Sequence, residues 1–188
     1  MSKGQKLPHA EVLLTAQRIE FALRPFCERI EIAGSLRRMR PFVGDIEIVA
    51  IPQRPVDLFG IPQLDADTAL DRFLIEKQVR MTKNGRKYKQ FTYGKFKVDL
   101  FLPETAAHWG SIFLVRTGSH EFNMWLMAVR AKQLGLRFAD GLLYDNGRVV
   151  DTYTEEAVFA ALQMEVVPPT DRDDNRWLAY LKDKVTSD

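Results

Sequence analysis

The chain has 188 residues, 46% hydrophobic and 28% charged, with a net charge of +2. That size accommodates one compact domain or two small lobes with a real core, and the apolar content excludes a disordered chain. One cysteine (Cys27) excludes a disulfide framework, and three scattered histidines (His9, His108, His120) exclude a histidine-rich metal motif. No run nears the ~20 apolar residues of a membrane helix, and the start, MSKGQKLPHAE, lacks an apolar signal core, so a cytoplasmic protein without membrane contact is expected.

From Pro8 to Phe26 the apolar positions Val12, Ala16, Ile19, Leu23 and Phe26 fall at helical spacing. Ile30–Ala33 reads as a short strand ending at Gly34-Ser35, and Asp45–Ile51 as a second strand stopped by Pro52. Three prolines and a glycine make 52–64 a loop, and Asp65–Lys77 follows as a short helix. Asn84-Gly85 predicts a hairpin between Val79–Lys83 and Arg86–Tyr93, and Gly94 turns the chain into the strand Lys95–Leu102. After an apolar stretch, Trp109–Val115, Thr117-Gly118-Ser119 leads into a helix capped by Ser119, running to about Gln133 and stopped at Gly135. Leu142–Tyr144 and Arg148–Val150 flank Asn146-Gly147 as a second hairpin. Thr154 opens a helix from Glu155 to about Met164, and Trp177–Leu181 forms a last helical turn or two. This mixture is an α+β fold with its break near Pro103–Gly110, giving lobes at 1–105 and 106–188.

The charge is segregated. Residues 77–97 carry eight cations and no anion (Lys77, Arg80, Lys83, Arg86, Lys87, Lys89, Lys95, Lys97). Such a stripe binds phosphate chains by counterion release or is a solvated hairpin face. The interleaved Tyr88, Phe91, Tyr93 and Phe96 fit the core side of strands.

The chemistry concentrates in Gly34-Ser35-Leu36-Arg37-Arg38, followed by Asp45-Ile46-Glu47. Side chains two apart on a strand project together, and paired carboxylates on an apolar strand need solvent or a cation. Asp99 is again a lone acid in an apolar strand. If the two strands are neighbours, Asp45, Glu47 and Asp99 converge on a site for two divalent ions of the kind that clamp a phosphoryl transfer. Gly34-Ser35 offers backbone N–H groups and close approach, and Arg37 or Arg38 can meet phosphate oxygens.

This pattern resembles the nucleotidyltransferase superfamily, and the wording GSLRRMRPFVGDIEIV resembles the family X DNA polymerases, the group of DNA polymerase beta. Arg116-Thr117-Gly118-Ser119-His120-Glu121-Phe122-Asn123 is similar to that family's thumb signature, and the likeness spans about Leu7 to Pro169. The resemblance implies a palm (mixed sheet with helices) over 1–105 and a small α/β thumb lobe over 106–188. It implies Mg²⁺ held as two ions, replaceable by Mn²⁺, on Asp45, Glu47 and Asp99, with Asp99 also activating a primer 3′-hydroxyl. Nucleotide contacts fall on Gly34, Ser35, Arg38 and Gly44, on Val115, Arg116, Thr117 and Gly118 around the sugar, and on Asn123 at the base edge. The implied partners are gapped or primer-template DNA, gripped by Lys83, Arg86, Lys87, Lys89 and Lys97, and a dNTP, bound by a monomer.

Two departures stand out. Glu47 replaces the usual Asp, and Val115-Arg116 replaces the aromatic pair that borders the sugar, which predicts weaker discrimination against rNTPs. About 33 residues precede the palm's glycine-serine turn, so no N-terminal lyase domain is expected. The implied activity is DNA-directed addition of dNMP to a primer in short-gap repair. The alternatives are a minimal nucleotidyltransferase acting on an RNA end, small molecule or protein, a template-independent terminal transferase, and a non-catalytic DNA-binding accessory protein.

Overall fold

The computed structural model describes residues 6–63 and 67–184. It is α+β and divides into two compact units, Met1–Leu36 with Arg40–Glu104, and Arg37–Met39 with Thr105–Asp188. Among the described residues no helix is long and apolar enough to cross a membrane.

In the first unit, a two-residue strand β1 (Leu7–Pro8) leads into helix α1 (His9–Leu23), and Pro8 supplies the extended entry at φ −57°. Val12, Ala16, Ile19 and Leu23, three or four apart, form the buried stripe of α1. Strand β2 (Cys27–Ile32) starts three residues earlier than the apolar pattern suggests. A helical turn, α2 (Gly34–Arg37), and a short strand β3 (Phe42–Val43), which pairs with β1, follow. Strand β4 (Ile46–Pro52) is β-branched and apolar throughout most of its length, with Ile46 and Ile48 to Pro52 all buried. A strand covered on both faces reads as a continuous apolar run.

Of the expected helix 65–77, residues 65 and 66 lie outside the described residues. Helix α3 spans Ala69–Glu76, with Thr68 and Asp71 closing a capping box. Strands β5 (Met81–Asn84), β6 (Tyr88–Tyr93) and β7 (Phe96–Phe101) complete a mixed sheet of order β2-β4-β7-β6-β5. The β4–β7 pair is parallel and the other three pairs are antiparallel. The β5–β6 hairpin turns through residues 85–87, with the Gly85 N–H donating to the Tyr88 carbonyl, rather than through a two-residue Asn-Gly loop. Ile48, Ala50, Val98 and Leu100, with Ile30, Ile46, Phe91 and Phe96, carry the sheet into the core that also holds the α1 stripe.

In the second unit the apolar stretch at 109–115 is helix α4 (Trp109–Thr117). Its Gly110 donates to the Thr152 carbonyl at 2.6 Å, and a Cβ there would stand 2.0 Å from the Thr154 carbonyl oxygen. Backbone on both sides leaves room only for glycine. Helix α5 (His120–Trp125) is capped by Ser119, whose Oγ accepts from the Phe122 N–H, and continues through a π-helical turn at Leu126–Ala131. The chain leaves this helix through Gly135 at φ +71°. Strands β8 (Leu136–Ala139), β9 (Leu142–Asp145) and β10 (Arg148–Val149) form an antiparallel sheet, and α6 (Glu155–Ala161) follows a Thr154 cap. The local sequence pattern does not predict strand β8. The unit's core gathers Leu114, Phe122, Leu126, Leu143, Phe159 and Trp177.

Candidate active site

The parallel register of β4 and β7 sets Glu47 opposite Asp99, and Asp45 stands one residue before β4. Between two of these acids lies a cation. Lys97 Nζ is 2.9 Å from Asp45 Oδ2 and 2.9 Å from Asp99 Oδ2. Asp99, 6% exposed, accepts on its other oxygen from Tyr88 Oη at 2.5 Å and from Gln90 Nε2 at 2.7 Å. Gln90 Nε2 also donates to Tyr88 Oη at 2.8 Å. Both oxygens of Asp99 are therefore held, each by its own donors.

The electrostatics follow from that arrangement. Burial works to raise the Asp99 pKa, but the hydrogen bonds from Tyr88, Gln90 and Lys97 outweigh it and hold the carboxyl below its ordinary value. The Tyr88 hydroxyl is pushed up to about 12, by burial and then by its bond to Asp99. Burial opposes the charge on Lys97, yet its bonds to Asp99 and Asp45 raise its pKa.

Glu47 is placed differently. Gly34 sits at φ +62°, and a Cβ on it would fall 1.7 Å from Glu47 Oε2, so the Glu47 carboxylate packs on the glycine. Among the described residues no three carboxylate, histidine or cysteine groups stand together as a metal site. Of the three expected metal ligands, Asp45 and Asp99 are joined through Lys97, and Glu47, the register partner of Asp99, lies against the glycine-serine turn. The pair still suits a hard divalent ion. It already accommodates a cation between two carboxylate oxygens, and Mg²⁺ is commonly bound through one or two carboxylates together with substrate phosphates. Ser35 is half-buried, its carbonyl accepting from the Arg40 N–H, while Gly44 is exposed, with the Lys6 side chain 3.9 Å from where a Cβ would stand.

Arg37 and Arg38, expected near phosphates, pack within the second unit. Arg37 donates to Thr117 Oγ1 at 2.9 Å and to Glu155 Oε2 at 2.5 Å, and lies 4.0 Å from the Phe113 ring centroid. Arg38 meets Asp173 at 2.9 Å and the carbonyls of Thr117 and Gly118, each at 2.6 Å. Glu155 also pairs with the fully buried Arg172 at 2.8 Å. Burial pushes the Glu155 pKa up, but the hydrogen bond from Arg37 and the charge of Arg172 bring it below its ordinary value. Asn123 donates from Nδ2 to the Val115 carbonyl at 2.7 Å and packs on Gly118. Val115 and Arg116 are half-buried on α4, and His120 is exposed.

The basic run is not uniform. Lys83, Arg86 and Lys87 are exposed around the β5–β6 turn, with Lys87 paired to Glu104. Lys89 is 4% exposed, held by Asp71 at 2.6 Å and Asn84 at 2.6 Å. Its expected place on a DNA-facing surface is corrected to a structural ion pair, and Lys97 belongs to the carboxylate site. Of the interleaved aromatics, Phe91 and Phe96 are buried, Tyr93 is exposed, and Tyr88 faces Asp99 while stacking on Phe101 at 5.0 Å.

These features have counterparts among known proteins. Residues 112–173 match the family model described as DNA polymerase beta thumb. The fold matches the ternary primer-template complex of Leishmania infantum polymerase beta at TM-score 0.66 and 20% identity, covering 91% of this chain and 78% of that one. It also matches the ternary gap complex of the same polymerase at TM-score 0.70 and 20% identity, covering 90% and 71%. No curated protein matches the sequence. The fold is that of polymerase beta. Within that fold, residues 112–173 carry the likeness to the polymerase beta thumb.

Proposed function

We propose that this protein is a DNA-directed DNA polymerase that adds single deoxynucleotides to a primer 3′-hydroxyl in short gaps. The observation that carries this reading is the Asp45–Lys97–Asp99 bridge beside Glu47, on adjacent parallel strands of a polymerase beta fold. Asp45 and Asp99 would hold Mg²⁺, with Glu47 as the neighbouring acid. Bound there, the ion supplies positive charge for the transferring phosphate and its leaving group.

The chain's own residues do the rest. Tyr88 and Gln90 fix Asp99 Oδ1 and so orient the carboxylate, whose Oδ2 would take the proton of the reacting hydroxyl once Lys97 turns away from it. The new bond joins the primer 3′-oxygen to the α-phosphorus of the dNTP, and the bond to the pyrophosphate oxygen breaks. Gly34, Ser35 and Gly44 offer backbone groups for the triphosphate. The likeness to the polymerase beta thumb would give Val115, Arg116, Thr117, Gly118 and Asn123 to sugar and base. Lys83, Arg86 and Lys87 meet DNA phosphates.

The test is extension of a labelled primer across a one-nucleotide gap, with each dNTP offered separately and Mg²⁺ or Mn²⁺ supplied. Addition of the complementary nucleotide alone is the expected result. Untemplated tailing or no extension would overturn the reading in favour of a nucleotidyltransferase with another acceptor.

A further inference from the structure

We propose that Lys97 is a built-in cation standing where a divalent ion would bind, so that metal entry and release of the Lys97 ammonium are one coupled exchange. The inference rests on the metal site of the proposed function and adds a competitor to it. Its ground is geometric. The ammonium uses Oδ2 of Asp45 and Oδ2 of Asp99 together, at 2.9 Å each. A divalent ion bridging those oxygens sits about 2.1 Å from each. An ammonium kept at hydrogen-bond distance from both oxygens would then be crowded against a second, doubly charged cation.

The surroundings allow this exchange and confine it to one oxygen of Asp99. The Lys97 side chain is 49% exposed and that of Asp45 37%, so the ammonium can swing into solvent without opening the core. Lys89 on β6 shows the contrast. Its side chain is 5% exposed and that of its partner Asp71 19%, so its ammonium has far less access to water than that of Lys97. On Asp99 the second oxygen is saturated by Tyr88 and Gln90, so the carboxylate keeps its orientation while Oδ2 changes partners. Without metal, Lys97 removes the repulsion that two neighbouring carboxylates would otherwise feel.

A lysine that merely orients Asp99 and a lysine that occupies the ion's place make opposite forecasts. Mn²⁺ is titrated into the full chain without nucleotide or DNA, and free Mn²⁺ is read by electron paramagnetic resonance. Lys97→Met and Lys97→Gln should bind Mn²⁺ about tenfold more tightly than the starting protein, the worth of two half-exposed ion pairs. Lys97→Arg, which keeps a cation on the same face, should retain the weaker affinity. In EDTA the Met and Gln variants should melt at lower temperature than the starting protein and gain more from added Mn²⁺. Equal or weaker Mn²⁺ binding by both neutral variants, with the starting protein binding normally, overturns the exchange and leaves the proposed function standing. Absence of Mn²⁺ binding in every protein, the neutral variants included, overturns the metal site and the exchange with it.

Discussion

The carboxylate of Glu47 rests on the Cα of Gly34, in the volume that any side chain at residue 34 would fill. This packing joins the glycine-serine turn to the strand that carries the acids. It also imposes glycine at position 34 twice over, because the backbone there has φ +62°. Gly34→Ala should therefore destabilise the protein by at least about 2 kcal/mol in urea unfolding, from strain and from the displaced acid together. A change below ~0.5 kcal/mol would mean that Glu47 is not held there.

Lys89 and its exposed neighbours separate stability from DNA binding. Lys89→Met leaves Asp71 without its buried partner and should cost about 3 kcal/mol, measured by chemical denaturation. The same substitution should leave the salt dependence of DNA binding unaltered.

Neutralising Lys83, Arg86 and Lys87 together should do the reverse. These side chains are exposed, so stability should move by no more than ~0.5 kcal/mol. The slope of log K against log salt should flatten by up to ~0.9 for each DNA phosphate that is no longer neutralised. An unchanged slope would mark the hairpin as a solvated face.

Three carboxyls, Asp71, Asp99 and Glu155, have folded pKa values below their ordinary ones. Each is opposed by burial and overcome by hydrogen bonds from, in order, Lys89 and Thr68, Tyr88 and Gln90, and Arg37. A depressed carboxyl binds fewer protons folded than unfolded. Its stabilisation is complete above the ordinary range near ~4 and is lost as pH falls through the depressed values. Stability should hold between about pH 5 and 8 and drop below ~4. The penalty of Glu155→Gln, measured by denaturation at each pH, should shrink as pH falls from about 6 to about 3. A constant penalty would show that Glu155 does not carry its share.

Much of the fold is legible from local pattern. The stripe of α1, the apolar run of β4, the Ser119 cap and the Gly135 stop are each set by residues a few positions apart. What escapes depends on register or on distant partners. Lys89 reads like Lys83 or Lys87 by charge, and only its pairing in parity with Phe91, two residues on, places it inward. The same alternation turns Tyr88 and Gln90 toward Asp99, a link fixed by the three-residue turn and the register of β6 on β7. Arg37 and Arg38 look free to meet phosphate until the fold supplies Glu155 and Asp173, more than a hundred residues away. Strand parity places Asp45 and Glu47 on one face but says nothing of Gly34, against which the Glu47 carboxylate packs.

Templated nucleotide transfer centred on the Asp45–Asp99 pair is tested most directly by the single-turnover rate of dNMP insertion into a one-nucleotide gap, for the starting protein and Asp99→Asn. Removing this ligand should slow insertion at least about a hundredfold, beyond the usual effect of removing a group that only supports one. The variant should keep the fold, because Asn can still accept from Tyr88 and Gln90. Insertion by Asp99→Asn at a rate near that of the starting protein would contradict the assignment.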